Sequence, residues 1–186
     1  MNRPAPKTIV YFDLETQKSA DEVGGWDRIR DMRMSVGVTF NTGRGTYQIY
    51  DERRTNELCE ELRRADLVVG FNILRFDYEV LAGYNPFFDP EQIHTLDILV
   101  ELVKTLDHRL SLDSLATATL GIEKTSDGMQ AIRWFREGRL LEVAEYCCYD
   151  VKITRLLHEY GAAHERLSYV DRYGKKQNVK VGWKLP

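Results

Sequence analysis

The sequence has no long apolar run, few cysteines and no excess of positive charge, and each absence excludes a class of protein. No stretch approaches the ~20 apolar residues that a membrane-spanning helix requires. The amino terminus has neither the apolar stretch nor the small-residue cleavage site of a secretory signal, so we expect a soluble, cytoplasmic protein without a membrane partner. The net charge of −3 argues against a protein that coats nucleic acid through a broad basic surface.

The few cysteines also argue against a zinc site or a disulfide framework. Cys59, Cys147 and Cys148 make an odd number and lack the paired spacing of either. We therefore expect the three cysteines to be reduced thiols in the core. The four histidines share no metal-ligand spacing, so satisfied or exposed side chains account for them. With 186 residues, the chain is long enough for one domain with a full core.

Alternating strand and helix patterns predict an α/β fold with a mixed sheet. Residues 8–15 have the composition of a buried central strand. Residues 34–40 and 46–50 flank a glycine-containing turn and predict an antiparallel hairpin beside it. Further strands are predicted at 67–71 and 93–96, and helical patterns occur at 55–65, 76–84, 98–106, 111–120, 127–135 and 140–160. Gly161 is the predicted end of the last helix, because glycine is a usual C-terminal cap residue.

Acidic residues occupy three positions that this fold favours for function. Asp13 and Glu15 alternate at the end of the first strand, so both side chains point to the same face of the sheet. Asp77 opens a helix after a buried strand, where α/β proteins commonly place functional groups. Tyr146 and Asp150 are four residues apart and share one face of the last long helix. A phenol is therefore expected beside a third carboxylate.

Four acids gathered without bases repel one another, which raises some of their pKa values unless a cation lies among them. Oxygen ligands select hard ions such as magnesium or manganese. Two such ions ~3.5–4 Å apart can stabilise the attacking and leaving oxygens of phosphoryl transfer. Hydrolysis of a phosphodiester fits a site of this kind.

Three segments carry a resemblance to a known family. Phe12-Asp13-Leu14-Glu15-Thr16, Asn72-x-x-x-Phe76-Asp77 and Tyr146-x-x-x-Asp150 match, in order, the three motifs of the DEDD exonuclease superfamily. The tyrosine of the third motif is typical of the DEDDy branch, since the histidine branch has its histidine at the position of Glu145. The sequence most resembles the proofreading domain of family B DNA polymerases, over roughly residues 7 to 160.

This resemblance implies a ribonuclease H-like fold and a metal-dependent 3′→5′ exonuclease acting on single-stranded DNA. It implies two magnesium or manganese ions bound by the four acids, with Tyr146 orienting the attacking water. Asn72 and Phe76 would border the 3′-terminal nucleotide, and Leu14 and Thr16 would touch it. The metal ligands and catalytic acids implied are Asp13, Glu15, Asp77 and Asp150.

Other readings of the resemblance stay open. The substrate could instead be the 3′ end of RNA, or the chain could be an inactive nucleic-acid binding module of the same fold. A helicase or polymerase is the kind of protein partner expected for a nuclease of this size. We expect the exonuclease domain to cover residues 1–165, followed by an extension over residues 166–186 with strand-like residues that suggest a β-hairpin.

Several charged residues allow two interpretations. Asp97 is either a fifth acid of the site or a helix N-cap, and the cap requires less assumption. Arg28, Arg30 and Arg33 either contact phosphates or belong to a mobile basic loop. Three lysines near the carboxyl end could contact nucleic acid or could protect the edge of a hairpin from pairing; they are Lys175, Lys176 and Lys180.

Overall fold

A five-stranded mixed sheet is the centre of the fold. The computed structural model describes residues 7–122 and 128–185. The strands are β1 (Ile9–Thr16), β2 (Met34–Asn41), β3 (Thr46–Asp51), β4 (Leu67–Gly70) and β5 (Thr95–Asp97), in the order β3-β2-β1-β4-β5. The pairs β1–β2 and β2–β3 are antiparallel, whereas β1–β4 and β4–β5 are parallel. The predicted α/β class and mixed sheet are confirmed.

The described α-helices lie around this sheet. They are α1 (Ala20–Val23), α2 (Thr55–Arg64), α3 (Asp77–Ala82), α4 (Ile98–Leu106), α5 (Leu112–Leu120), α6 (Gly128–Arg136) and α7 (Leu140–His164). Short 3-10 helices occur at Trp26–Asp31, Glu52–Arg54 and Pro90–Gln92. The helix start predicted at residue 127 lies outside the described residues. Within those residues, no helix combines the length and apolarity that a bilayer span requires.

The two faces of β1 bury different cores. Ile9 and Tyr11 belong to the core that also contains residues of α7, whereas Val10, Phe12 and Leu14 belong to the core that contains residues of α2 and α3. Side chains alternate between the faces because a strand has a period of two residues. The next two residues on the α7 face are therefore the acids at positions 13 and 15.

Helix α7 does not end at Gly161, so that prediction is wrong. The helix continues to His164, and Glu165 takes the left-handed conformation with φ 54°. A Cβ at Gly161 would lie 2.7 Å from the indole of Trp183. The indole nitrogen donates a hydrogen bond of 3.1 Å to the carbonyl oxygen of His158. The glycine therefore makes room for an indole ring that packs against the helix.

The carboxyl-terminal segment forms a two-stranded antiparallel sheet from β6 (Arg166–Val170) and β7 (Lys176–Lys180). Leu167, Val179 and Val181 are buried in the same core as the apolar residues of α7. The lysines at 175, 176 and 180 are exposed. The division of the chain after residue 165 stays a prediction.

Candidate active site

Three of the four predicted acids form a compact cluster at the end of β1. Carboxylate oxygens of Asp13, Glu15 and Asp150 all lie within 4.8 Å of one another. β1 contributes two of them because alternate residues share a face. α7 packs across that face and contributes the third. The local periods of one strand and one helix, together with their packing, produce the cluster.

The fourth acid, Asp77, is buried at the start of α3. Its Oδ1 atom accepts a hydrogen bond of 3.0 Å from the backbone nitrogen of Leu14. The carboxylate of Asp77 is outside the three-residue cluster, but its charge raises the pKa values of Asp13 and Glu15. It therefore lies within electrostatic reach of the cluster.

Burial raises the pKa values of Asp13, Glu15 and Asp77, and the charges of neighbouring acids raise them further. Burial is the largest cause of the raised pKa of Asp13, followed by the charges of Asp77, Asp150 and Glu15. Burial is also the largest cause of the raised pKa of Glu15. Burial raises the pKa of Asp77 to about 8, against the opposing effect of its bond with the Leu14 amide. A cation among these oxygens would favour their ionised forms, and the donor set suits a hard ion.

Tyr146 lies on α7 beside the acids, with its ring edge-on to Trp134 at a centroid distance of 6.5 Å. Burial, and then the charge of Asp150, raise the pKa of Tyr146 above its ordinary value. The phenol therefore keeps its proton at neutral pH. A neutral phenol can donate a hydrogen bond to an oxygen placed near the carboxylates.

The next residue on α7, Cys147, also contacts the cluster. Its Sγ atom lies 3.3 Å from the carbonyl oxygen of Asp13 and 3.4 Å from Oδ2 of the same residue. Burial and the neighbouring acids raise the pKa of this thiol, so it is a neutral donor. All three cysteines are free thiols; Cys59 and Cys147 are buried and Cys148 is half-buried. The sequence predicted the burial of Cys147 but gave no sign of its contact with Asp13.

Asn72 connects β4 to α3 in the left-handed conformation, with φ 66°. Its backbone nitrogen donates to one carboxylate oxygen of Asp97, and that of Leu74 donates to the other, at 2.8 and 3.0 Å. Asp97 also accepts from the Leu99 nitrogen at the start of α4, which confirms its role as an N-cap. The side-chain oxygen of Asn72 accepts a bond of 2.9 Å from Arg109, a contact that sequence reasoning missed.

A cavity of about 480 Å³ adjoins the acidic cluster. Glu15, Thr16 and Phe76 line it, so two of the predicted nucleotide-binding residues meet one of the clustered acids. The side chain of Leu14 is instead buried in the core on the opposite face of β1. Trp26 and Met129 also line the cavity, and sequence reasoning did not single them out.

The three arginines after the first motif all have acidic partners. Arg28 pairs with Asp31, Arg30 with Glu79 and Arg33 with Glu52. Two of these arginines lie in the 3-10 helix Trp26–Asp31, so the segment has defined structure. The alternative of phosphate contacts stays open.

Comparisons with known proteins agree with this architecture. A family model for the RNase H superfamily matches residues 10–163. The fold is similar to that of the family B DNA polymerase from the hyperthermophilic archaeon Pyrobaculum calidifontis, with a TM-score of 0.59 at 16% sequence identity. That match covers 88% of this chain and 26% of the polymerase, so the chain spans about a quarter of that protein's length. No curated protein matches the sequence.

The family match and the structural similarity confirm the predicted ribonuclease H-like fold, and they agree with the resemblance noted in the sequence. The fold is of a nuclease type, and nucleases of this type act on nucleic acid. The acidic cluster lies within the matched region. The chain belongs to the RNase H superfamily.

Proposed function

We propose that this protein is a metal-dependent 3′→5′ exonuclease that removes nucleotides from the 3′ end of single-stranded DNA. The observation that carries the proposal is the cluster of Asp13, Glu15 and Asp150, next to the buried Asp77, in a nuclease-type fold. These acids occur in the three motifs of the DEDDy exonucleases in the correct order. The phenol of Tyr146 lies one helical turn before Asp150, as that branch requires.

The proposed cofactors are two divalent ions, magnesium or manganese, held by the four carboxylates. The residues fit such ions because all the donors are oxygens and because the raised pKa values report burial and, at Asp13 and Glu15, repulsion from neighbouring acids, both of which positive charge would offset. When bound, the ions supply positive charge for the attacking and leaving oxygens of phosphodiester hydrolysis.

The remaining residues of the site orient the attacking water and bind the 3′-terminal nucleotide. Tyr146 donates its phenol proton in a hydrogen bond that orients the attacking water. Asn72 and Phe76 border the 3′-terminal nucleotide, with Asn72 held in place by Asp97 and Arg109. Thr16 touches the nucleotide from the end of β1, and Leu14 acts through its backbone, which fixes Asp77.

A polarity assay tests the proposal. The pure protein is incubated with magnesium or manganese and with single-stranded DNA labelled at its 5′ end. A 3′→5′ exonuclease gives a ladder of progressively shorter labelled products, whereas a 5′→3′ enzyme releases the label at once. A circular single strand should stay intact, and an RNA strand of the same sequence measures sugar preference. Absence of shortening with either metal would refute the proposal.

Variants of the acids separate chemistry from folding. Asp13→Ala and Asp150→Ala should abolish shortening and keep the circular-dichroism spectrum, because removing one acid relieves repulsion in the metal-free site. Glu145→Ala is the matched control, since this exposed acid lies on the same helix outside the cluster. Loss of the folded spectrum in the Asp variants would assign these acids a structural role.

A further inference from the structure

The cavity beside the acids has an aromatic wall formed by Phe76 and by Trp26, a residue that the proposed function does not use. The indole of Trp26 is 68% exposed, and its ring centroid lies 6.3 Å from that of Phe76. Met129, 53% exposed, and Ile132 line the same cavity from α6. Single exposed apolar residues are common, but several facing one cavity indicate a binding surface.

Backbone hydrogen bonds and ion pairs fix residues 17–33, the segment that presents Trp26 to the cavity. Backbone bonds join Gln17 to Arg33 and Lys18 to Met32, which closes residues 17–33 into a loop with a buried methionine at its base. Arg30 forms an ion pair with Glu79 of α3. Across the cavity, Glu22 of α1 forms an ion pair with Arg136 of α6. The backbone that presents the indole is therefore held before any ligand arrives, which lowers the entropy cost of binding.

We infer that Trp26 is a stacking platform for a nucleobase next to the scissile phosphate, and that it sets the enzyme's preference for strands with an intact base there. The identity of the occupant rests on the proposed function. Glu15 belongs to the acidic cluster and also lines the cavity, so a nucleotide whose phosphate is at the acids extends into the space beside the indole. An aromatic face accepts every base, because each base has a π-face.

The charge next to the cavity matches a nucleic-acid strand. Lys18 lines both this cavity and a second one of about 630 Å³. Basic side chains outnumber acidic ones in the second cavity; they are Lys18, Arg28, Arg30 and Arg33, against Glu22 and Asp31. The three arginines are also paired with acids, so backbone phosphates of a strand that leaves the aromatic wall would share these guanidinium groups with those partners. An apolar peptide would find no such complement.

A double-mutant cycle tests the inference through binding. Anisotropy of a fluorescein-labelled oligothymidylate with phosphorothioate linkages is measured in magnesium, using a second probe that lacks the bases of its two 3′-terminal nucleotides. Stacking on an aromatic side chain predicts that Trp26→Ala weakens binding of the intact probe by about 5- to 150-fold. The same variant should change binding of the abasic probe far less, and Trp26→Phe should restore most of the affinity.

The controls distinguish this inference from the proposed function. Phe87→Ala removes another aromatic side chain, 90% exposed and outside the cavity lining, and should leave both affinities unchanged. Equal weakening of both probes by Trp26→Ala, or no weakening, would overturn the stacking role. Shortening of an unmodified strand is scored separately. Trp26-dependent preference for the intact probe without shortening would support the subsite and refute the exonuclease proposal alone.

Discussion

Replacing Asp77 by asparagine should stabilise the metal-free protein. The pKa of Asp77 is about 8 in the folded protein, against 3.8 as its ordinary value. The folded carboxyl group therefore holds its proton more tightly than the unfolded one. Its contribution to stability is fully present below about pH 4 and is lost as the pH rises towards 8. Asparagine cannot ionise and keeps an oxygen that can accept the bond from Leu14.

The size of the effect follows from the difference between the two pKa values. At pH 7 the aspartate costs on the order of 4 kcal/mol relative to a neutral group, and at pH 5 about 2 kcal/mol. Urea unfolding in a chelator at these two pH values should show Asp77→Asn more stable than the wild type, with the difference growing with pH. Magnesium at 100 times its dissociation constant should stabilise the wild type by about 2.7 kcal/mol for each ion bound, and the variant by less.

Two outcomes would refute this reasoning. An Asp77→Asn variant that is less stable than the wild type at both pH values would show that the ionised carboxylate contributes favourably without metal. A stability difference independent of pH would show that the Asp77 carboxyl group does not titrate over this range. Either result would remove Asp77 from the electrostatic case for a cation site at β1, which would then rest on Asp13 and Glu15.

Three further predictions concern α7. Tyr146→Phe should lower kcat by about 10²-fold with an unchanged melting temperature, because the ring packing stays and only the hydrogen bond to water is lost; a loss confined to KM would contradict this. In urea unfolding, Gly161→Ala should destabilise the fold by about 1–2 kcal/mol, because its Cβ meets Trp183. In a Trp183→Ala background the same substitution should instead stabilise α7 by up to about 1 kcal/mol. Burial lowers the pKa of His158 to about 4, so its own contribution to stability should fall by about 3 kcal/mol between pH 6.5 and 4, opposite in sign to the contribution of Asp77. The stability of His158→Gln relative to the wild type should therefore rise by about that amount as the pH falls over this range, and a difference that does not change with pH would rule out a titrating His158.

The side-chain periodicity of strands and helices explains how much of the site the sequence could predict. The apolar alternation before Asp13 identifies a buried strand, and its period of two places Glu15 on the same face. The helical spacing of Tyr146 and Asp150 does the same on α7. Their convergence also needs the packing of α7 on β1, for which the order of the three motifs was the available signal.

Contacts between distant residues could not be predicted in this way. Asp77 is 63 residues from Leu14, and Cys147 is 134 residues from Asp13, so no local pattern links either pair. The same holds for Gly161, where the helix-end rule fails because a distant indole occupies the space of a side chain. Trp26 lies in a segment without strand or helix periodicity, and only the fold brings it to the cavity.

A measurement of metal binding tests most directly the claim that the acids near the end of β1 hold two divalent ions. The electron paramagnetic resonance signal of free manganese is followed as the ion is titrated into the wild type and into Asp13→Asn, with Glu145→Ala as the control. Our account predicts two manganese ions bound per wild-type chain, displaced by magnesium, with reduced binding in Asp13→Asn and unchanged binding in the control. Equal manganese binding by wild type and Asp13→Asn, or none by the wild type, would contradict it.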